Sequence, residues 1–253
     1  MAIKFKLPGI KNVIGIMSGK GGVGKTFVTT NLALTLAKSG KKIGILDADI
    51  SCPNLYKMLG ITSKIVPTAD NKIIPAEKWG IKAVSMAGLC GSDDEPIAWR
   101  GPILSKIIQQ LLKESIWGEL DCLFIDFPSG TSDAEITILQ NFAVDGIMIV
   151  TTPQALAMMD ARRTINSAAM LKVPLVGIVE NMRGDIFGEG GANRLAETYH
   201  TSFLASIPLR KAIVSQCDNG QPTVFNSEEI EMIFLRIARA LENKWNHQEI
   251  QKI

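Results

Sequence analysis

The stretch Gly19-Lys20-Gly21-Gly22-Val23-Gly24-Lys25-Thr26 decides the fold of this 253-residue chain. A short apolar, β-prone run at Val13 to Met17 precedes it, and Phe27 to Lys38 follows with apolar residues at helix-compatible spacing. A strand, a glycine-rich loop and a helix in this order form a phosphate cradle, because the loop N–H groups and the helix N-terminus face one anion. The sequence therefore predicts a Walker A loop.

The last two residues of the loop carry its expected chemistry. Lys25 is expected to reach the β- and γ-phosphates, and the Thr26 hydroxyl to hold Mg²⁺. ATP and Mg²⁺ are the predicted cofactors; a chance match in a glycine-rich turn is the alternative, and the flanking strand and helix count against it. The other expected phosphate-binding positions are Gly19, Lys20, Gly21, Gly22, Val23 and Gly24.

A second lysine, Lys20, stands five residues before Lys25. A second cation would offset phosphate charge that the first lysine and Mg²⁺ leave uncompensated, and a solvated loop lysine is the alternative. The run Lys-Gly-Gly-Val-Gly-Lys-Thr resembles the deviant Walker A loop of the MinD/ParA/Mrp group of ATPases. This resemblance implies that Lys20 reaches across a dimer interface to the other subunit's nucleotide, so that ATP holds a homodimer together.

Length and composition are ordinary for a single α/β ATPase domain over residues 1–253. The net charge of +2 gives no indication of nucleic acid or membrane binding, and we recognise neither an apolar stretch of membrane-spanning length nor a secretory signal. A cytoplasmic protein is expected. His200 and His247 stand alone and suggest neither a catalytic triad nor a metal site.

Apolar, β-prone runs alternate with helical patterns, which is the rhythm of βαβ units. They predict a mostly parallel sheet with helices on both faces and ligands at the carboxyl ends of its strands. The segment from Ile61 to Trp79 is expected to be surface loop or a small hairpin. The predicted strands are 13–17, 42–46, 83–86, 123–127, 146–151, 175–179 and 203–207.

Two carboxylates, Asp47 and Asp49, follow the second predicted strand. Side chains at alternate positions of a strand project to the same side, here toward the phosphate loop. One would support Mg²⁺ while the other orients a water for in-line attack. The resemblance assigns the water to Asp49, which leaves Asp47 as a metal-shell or structural carboxylate; capping of a helix near 54–59 is the alternative for Asp49.

Asp126 ends the predicted strand at 123–127, and a proline-marked turn follows it. An aspartate held at a strand end is the Walker B arrangement, in which the carboxylate supports Mg²⁺. The family resembled writes this switch as Asp-Leu-Pro-Pro-Gly-Thr-Gly-Asp, which Asp126, Gly130, Thr131 and Asp133 match. Gly130 would let the turn close on a γ-phosphate and open after hydrolysis.

The purine end of the site is predicted at the exits of the last two strands. Asn181 can offer a donor and an acceptor to an adenine edge, although a turn asparagine is an equal alternative. Asn181 and Pro208 match the places where this group of ATPases contacts the base.

Longer stretches resemble the Mrp/ApbC branch from about Val13 to Phe225. Members of that branch are ATP-dependent carriers or scaffolds for iron-sulfur clusters, and the resemblance implies a homodimer with an iron-sulfur apoprotein or scaffold as partner. The stretches are 47–50, 99–102, 117–121, 151–154, 160–163, 177–182 and 186–191.

The branch binds its [4Fe-4S] cluster between subunits through a Cys-x-x-Cys pair placed after Glu-Asn-Met, and this chain has no such pair there. A [4Fe-4S] cluster is therefore expected by resemblance only. Cys122 is expected in the core and Cys52 either as a ligand or as a small buried residue. The four cysteines, Cys52, Cys90, Cys122 and Cys217, are expected to be reduced thiols.

Two other functions compete with a role in iron-sulfur cluster assembly. A MinD/ParA-like positioning switch would need a basic amphipathic tail or a basic dimer surface. The tail 241–249 has mixed charge, and the apolar positions of the helix beginning at Glu228 are expected to pack on the sheet. A ligase that activates a carboxylate by phosphoryl transfer would need a substrate pocket that the sequence does not reveal.

Overall fold

The computed structural model describes residues 3–89, 101–130 and 132–247, and the strands in these ranges join in one sheet. Neighbouring strands run parallel throughout the described sheet, except for the antiparallel pair β3 and β4. The strands are β1 (Ile10–Met17), β2 (Ile43–Asp47), β3 (Ala76–Lys78), β4 (Ile81–Val84), β5 (Leu120–Asp126), β6 (Gly146–Thr151), β7 (Leu175–Arg183) and β8 (Phe203–Pro208).

The strand order β3-β4-β2-β5-β1-β6-β7-β8 brings the predicted phosphate-binding elements together. β5 lies between β1 and β2, with Asp126 level with Ile16 on one side and Asp47 on the other. Because these strands are parallel, their following loops leave the same edge of the sheet. The predicted mostly parallel α/β sheet is confirmed.

Helices cover the sheet on both faces. Residues 147–150 of β6 have no exposed surface, which requires packing from above and below. α1 packs against α8, α3 against α4, and α5 against α6. The described helices are α1 (Lys25–Lys38), α2 (Leu55–Leu59), α3 (Gly101–Glu114), α4 (Asp133–Asn141), α5 (Ala155–Met170), α6 (Gly191–Thr198), α7 (Lys211–Asp218) and α8 (Glu228–His247).

α8 places its apolar stripe in the core, as its sequence spacing predicted. Ile230, Phe234, Ile237 and Leu241 are all buried, and the Phe234 ring meets the ring of Phe27 of α1 edge-to-face at 5.8 Å. An apolar stripe at positions i, i+4, i+7 and i+11 lies on one helix face. The helix is therefore part of the fold, not an arm free to bind a surface.

The segment predicted as loop or small hairpin contains β3, which pairs with β4 through a two-residue turn at Trp79 and Gly80. Both turn residues have positive φ, +56° and +79°, as hairpin turns of this length require. Tryptophan is unusual there, but its Nε1 donates to the carbonyl of Leu59 at 3.1 Å. The strand predicted at 83–86 begins two residues earlier in the structure and spans Ile81–Val84. Its pairing with β3 covers only three residues, which is too short for an alternation of apolar and polar residues to be recognised in the sequence.

Candidate nucleotide-binding site

The phosphate loop leaves β1 after Met17 and enters α1 at Lys25. Gly24 stands at the helix N-cap with φ +85°, a left-handed conformation that disfavours side chains. A Cβ atom there would also come within 2.1 Å of Nδ2 of Asn181. Position 24 therefore requires glycine for two reasons: its backbone is left-handed, and a side chain would collide with Asn181 at the end of β7.

Asp126 gathers the chemistry-bearing residues of α1 around one buried carboxylate. Its Oδ1 accepts from Thr29 Oγ1 at 3.0 Å and lies 3.5 Å from Lys25 Nζ, while its Oδ2 accepts from Thr26 Oγ1 at 2.5 Å. Asp126 has no exposed surface and Lys25 only 8%. A buried carboxylate beside a lysine and a hydroxyl is the donor set of a Walker A and Walker B pair, and its hard oxygens suit Mg²⁺.

The turn after β5 lies directly on the phosphate loop. The N–H of Gly130 donates to the carbonyl of Ser18 at 3.0 Å, and Gly130 has φ +74°. Ser132 caps α4 by accepting from the N–H of Glu135 at 3.2 Å, and Asp133 begins that helix. Thr131, predicted as part of the switch, lies outside the described residues. The contact of Gly130 means that any movement of this turn must break a bond to the loop.

Asp47 and Asp49 have different surroundings. Asp47 is buried and accepts from the N–H groups of Asp49 and Leu55 at 3.1 and 3.2 Å, and from Ser85 Oγ at 3.0 Å. Burial, and then the charge of Asp126, raises its pKa. Three donors already occupy the Asp47 oxygens, so the geometry favours a structural role for this carboxylate. The alternative role of Asp47, as a Mg²⁺ ligand, stays a prediction.

Asp49 is half-buried and faces the cavity over the loop. It accepts from the N–H of Cys52 at 3.2 Å, and burial raises its pKa while Lys25 opposes the shift. The N–H of Leu55, the first residue of α2, is held by Asp47, not by Asp49. Asp49 therefore does not cap α2, which was the alternative role considered for it. That Asp49 orients the attacking water stays a prediction.

A cavity of about 630 Å³ opens over the loop. It joins Lys20, the stretch 21–26 and Asp49, as the motifs predicted. Gly19 is not among its lining residues, because it packs against α5: a Cβ on Gly19 would come within 2.1 Å of the carbonyl carbon of Asp160. No sequence motif marks the opposite wall, which consists of Asn54, Lys57, Met58, Cys217 and Asp218.

The two residues predicted at the purine do not line this cavity. Asn181 is 5% exposed and its Nδ2 donates to the carbonyl of Val23 at 2.8 Å, so it braces the loop from the end of β7. Pro208 is buried where β8 ends, level with Arg183. Contacts of Asn181 and Pro208 to a base stay predictions.

Lys20 is held by its own chain. Its Nζ donates to Oε1 of Gln154 at 3.2 Å, and Gln154 stands at the N-cap of α5. In the described parts of the chain, no carboxylate lies within 4 Å of this ammonium group. Lys20 is therefore positioned at the cavity but not neutralised.

The end of β7, where the resemblance places a cysteine pair, forms a closed hairpin. The N–H of Gly184 donates to the carbonyl of Gly188 at 3.1 Å, and the N–H of Gly188 returns the bond at 2.7 Å. Three residues, 185–187, make the tip, where Ile186 is 78% exposed. The backbone hydrogen bonds of Gly184 and Gly188 are thus made within the hairpin itself.

Comparison with known proteins agrees with this geometry. The family model described as ParA: NUBPL iron-transfer P-loop NTPase matches residues 9–242. The chain belongs to this family. The resemblance that the loop and the longer motifs predicted is thereby confirmed.

Individual relatives of the family are similar over most of this chain. An iron-sulfur cluster carrier protein of Methanocaldococcus jannaschii is 43% identical over 258 residues, covering 96% of this chain and 89% of its own length. One of Escherichia coli K12 is 42% identical and covers 93% of this chain, which spans only 66% of that longer protein. A nucleotide-binding protein from Archaeoglobus fulgidus, solved in complex with ADP, has a TM-score of 0.76 at 35% identity and covers 90% and 93% of the two chains.

The cysteines of this family member do not form a cluster site in the residues the structure describes. Cys122 is buried in β5, as predicted, whereas Cys52 is exposed and not the small buried residue considered above. Cys217 is partly buried at the cavity wall, and burial raises its pKa to about 11. Cys90 and part of the 99–102 stretch lie outside the described residues. Within 3–89, 101–130 and 132–247, no group of three or more metal-ligating side chains is present.

Proposed function

We propose that the chain is a Mg²⁺-dependent ATPase that forms an ATP-controlled homodimer and serves iron-sulfur cluster assembly without a cysteine pair of its own. The observation that carries the ATPase part is the convergence of Lys25, Thr26 and Thr29 on the buried Asp126. The same proposal treats residues 1–253 as one ATPase unit working in the cytoplasm and binding neither membrane nor nucleic acid.

Lys25, Thr26, Asp49 and Asp126 have distinct parts in hydrolysis. Lys25 binds the β- and γ-phosphates, and Asp126 orients the Thr26 hydroxyl, which would hold Mg²⁺ together with that carboxylate. Bound Mg²⁺ would neutralise phosphate charge as the leaving oxygen develops. Asp49, on the cavity side, orients the attacking water and accepts its proton; burial raises its pKa, which makes it a better base.

The iron-sulfur part of the proposal rests on the names of the relatives and on the cysteine pair that this chain lacks after Met182. Relatives at about 42% identity are named iron-sulfur cluster carrier proteins. A [4Fe-4S] cluster shared by two subunits needs two thiolates from each, and the described hairpin at 184–188 has no cysteine. A cluster would therefore be a cargo whose thiolates come from a partner, either an iron-sulfur apoprotein or another carrier.

Anaerobic reconstitution with ferrous iron and sulfide tests this division. The Methanocaldococcus jannaschii relative, treated in parallel, is the control for the procedure. We expect Mg²⁺-dependent ATP hydrolysis by this chain, with no stable absorbance from iron-thiolate charge transfer and no stoichiometric iron on the isolated protein. Four iron atoms per dimer would contradict the cargo part, and absence of hydrolysis would contradict the ATPase part.

A second measurement tests the link to cluster assembly. Cluster transfer from a loaded carrier to an apoprotein is followed by the recovery of the apoprotein's activity, with and without this chain and ATP. An ATP-dependent change in transfer rate supports the proposal. No change with any loaded carrier of the family would remove the assembly role.

The positioning-switch alternative has no supporting observation. The apolar face of α8 is buried against the sheet. Among the helices that the structure describes, none is long and apolar enough to span a bilayer. The ligase alternative likewise has no supporting observation among the described residues.

A further inference from the structure

Gln154 holds Lys20 at the edge of the phosphate cavity. Its Oε1 accepts from Lys20 Nζ at 3.2 Å and from Thr152 Oγ1 at 3.4 Å. Gln154 is the N-cap residue of α5, yet its side chain makes no capping bond to the helix. The Gln154 side chain is therefore free of the helix and available to the lysine.

The backbone fixes this pair in place. Gly19 packs so closely on the backbone of Asp160 and Ala161 that a Cβ would approach within 2.1 to 2.5 Å. The start of the loop and the first turns of α5 are therefore rigidly joined. Lys20 and Gln154 are both half-buried, which limits the alternatives open to either side chain.

The chemistry of the acceptor matters as much as its position. An amide oxygen orients an ammonium group without cancelling its charge, and an ammonium group has three donors, so two remain for a phosphate. The start of α5 also has no acidic residue in its first turn, so this end of the helix keeps its positive field. An anion that approaches Lys20 there would be attracted by the full charge of the ammonium group and by the positive end of the helix.

We propose that Gln154 is a positioning residue that pre-orients Lys20 for the phosphates of a nucleotide bound to a second copy of this chain. This inference rests on the homodimer of the proposed function. An unrestrained lysine loses considerable rotamer freedom when it binds, and a lysine already held loses less. Gln154 would thereby strengthen the ATP-bound dimer without contacting the nucleotide of its own subunit.

The first test needs no dimer. The amine reactivity of Lys20 toward acetic anhydride is measured by mass spectrometry in wild type and in Gln154→Met, which keeps the chain length but removes the acceptor. We expect Lys20 to react roughly two- to fivefold faster in the variant, since loss of the acceptor frees this half-buried side chain to turn toward solvent and meet the reagent. Gln110→Met, at an exposed position of α3, is the control and leaves the rate unchanged. An unchanged Lys20 rate in Gln154→Met would overturn the inference.

The second test measures the dimer with a non-hydrolysable ATP analogue by light scattering. We expect Gln154→Met to weaken dimerisation about five- to tenfold, and Gln154→Glu to weaken it at least as much because a carboxylate neutralises Lys20. In a Lys20→Ala background, Gln154→Met should add nothing. Additive losses would show that Gln154 acts independently of Lys20 and would overturn the inference. If the wild type does not dimerise while the Lys20 rate still changes, the homodimer proposal fails and the positioning of Lys20 by Gln154 stands.

Discussion

The carboxyl ends of β5 and β7 lie on the same edge of one sheet but are built differently. At β5, the buried Asp126 carboxylate contacts three side chains of α1, those of Lys25, Thr26 and Thr29. At β7, the hairpin of 184–188 is closed by two backbone bonds, and its tip side chains are largely exposed. The end of β5 is specified by buried side-chain contacts, and the hairpin that follows β7 by backbone bonds.

This difference indicates that the hairpin at 184–188 can vary in sequence without disturbing the side-chain contacts at the phosphate end. The phosphate end cannot lose a residue without leaving a buried charge or donor unpaired, which costs free energy. The hairpin at 184–188 is closed by backbone bonds and buries no charged group, so its side chains can change without destabilising the fold. The predictions below test that contrast, from the largest expected effect to the smallest.

The strongest test of the phosphate end is Lys25→Ala. It removes the cation for the phosphates and leaves the buried carboxylate of Asp126 without its lysine. We expect nucleotide affinity to fall at least about 100-fold, or roughly 2.7 kcal/mol, in isothermal titration calorimetry. Lys57→Ala removes a lysine from the same cavity wall and should retain most of the affinity. Intact binding by Lys25→Ala would contradict the cradle assignment.

Asp49→Ala tests chemistry separately from binding. Because Asp49 faces the cavity and contacts the loop of Cys52 only through a backbone bond, we expect near-normal ATP affinity and a hydrolysis rate lower by about 100-fold. The ATP-bound dimer should last correspondingly longer. Asp218→Ala, which removes another carboxylate of the same cavity, serves as the control. Equal hydrolysis by Asp49→Ala and wild type would exclude Asp49 as the water-orienting residue.

Glu135 gives the phosphate end a pH-dependent stability. This residue of α4 is fully buried; Ser167 Oγ donates to its Oε1 at 3.2 Å, and Oε2 has no partner in the described structure. Burial raises its pKa from 4.5 to about 7. Between these values the unfolded chain binds fewer protons than the folded one, so the free energy of unfolding falls as pH rises from about 4.5 to 7.

The expected fall attributable to Glu135 is about 2–3 kcal/mol between pH 5 and pH 8, measured by urea unfolding. Glu135→Gln should remove this part of the slope and be more stable than wild type at pH 8. Glu189→Gln, at an exposed position, is the matched control. A slope that survives in Glu135→Gln would show that the buried carboxyl is not its source.

Much of the phosphate end was predictable because its residues are consecutive or follow strands. The loop at 19–26, Asp49 and Asp126 can be found in the sequence; residues 20–26 and Asp49 line one cavity, and Asp126 contacts Lys25 and Thr26 of the loop. The wall formed by Lys57 and Asp218 could not be found. Those two residues are far apart in sequence and belong to short helices, whose placement depends on tertiary packing and not on any local pattern.

The same limit explains the interactions of Gln154 and Asn181. Both stand in stretches that resemble the family, but the sequence does not reveal that Gln154 accepts from Lys20 or that Asn181 donates to Val23. These contacts join residues more than 130 positions apart, through a parallel sheet whose strand order is not sequential. The sequence left loop and small hairpin open for 61–79 and did not locate β3 within it, because three residues are too few for an alternation to be recognised.

The smallest effect is expected at the hairpin tip, for Ile186→Ser. The Ile186 side chain is 78% exposed and the turn is held by the backbone bonds of Gly184 and Gly188. The variant should change the free energy of unfolding by less than about 0.5 kcal/mol and leave nucleotide affinity and hydrolysis unaltered. Gly188→Ala, which forces a side chain onto φ +80°, should cost about 1 kcal/mol and shows that the assay detects damage to the hairpin. If Ile186→Ser instead altered hydrolysis, the hairpin at 184–188 would be coupled to the nucleotide, and its independence from the contacts of Asp126 would be disproved.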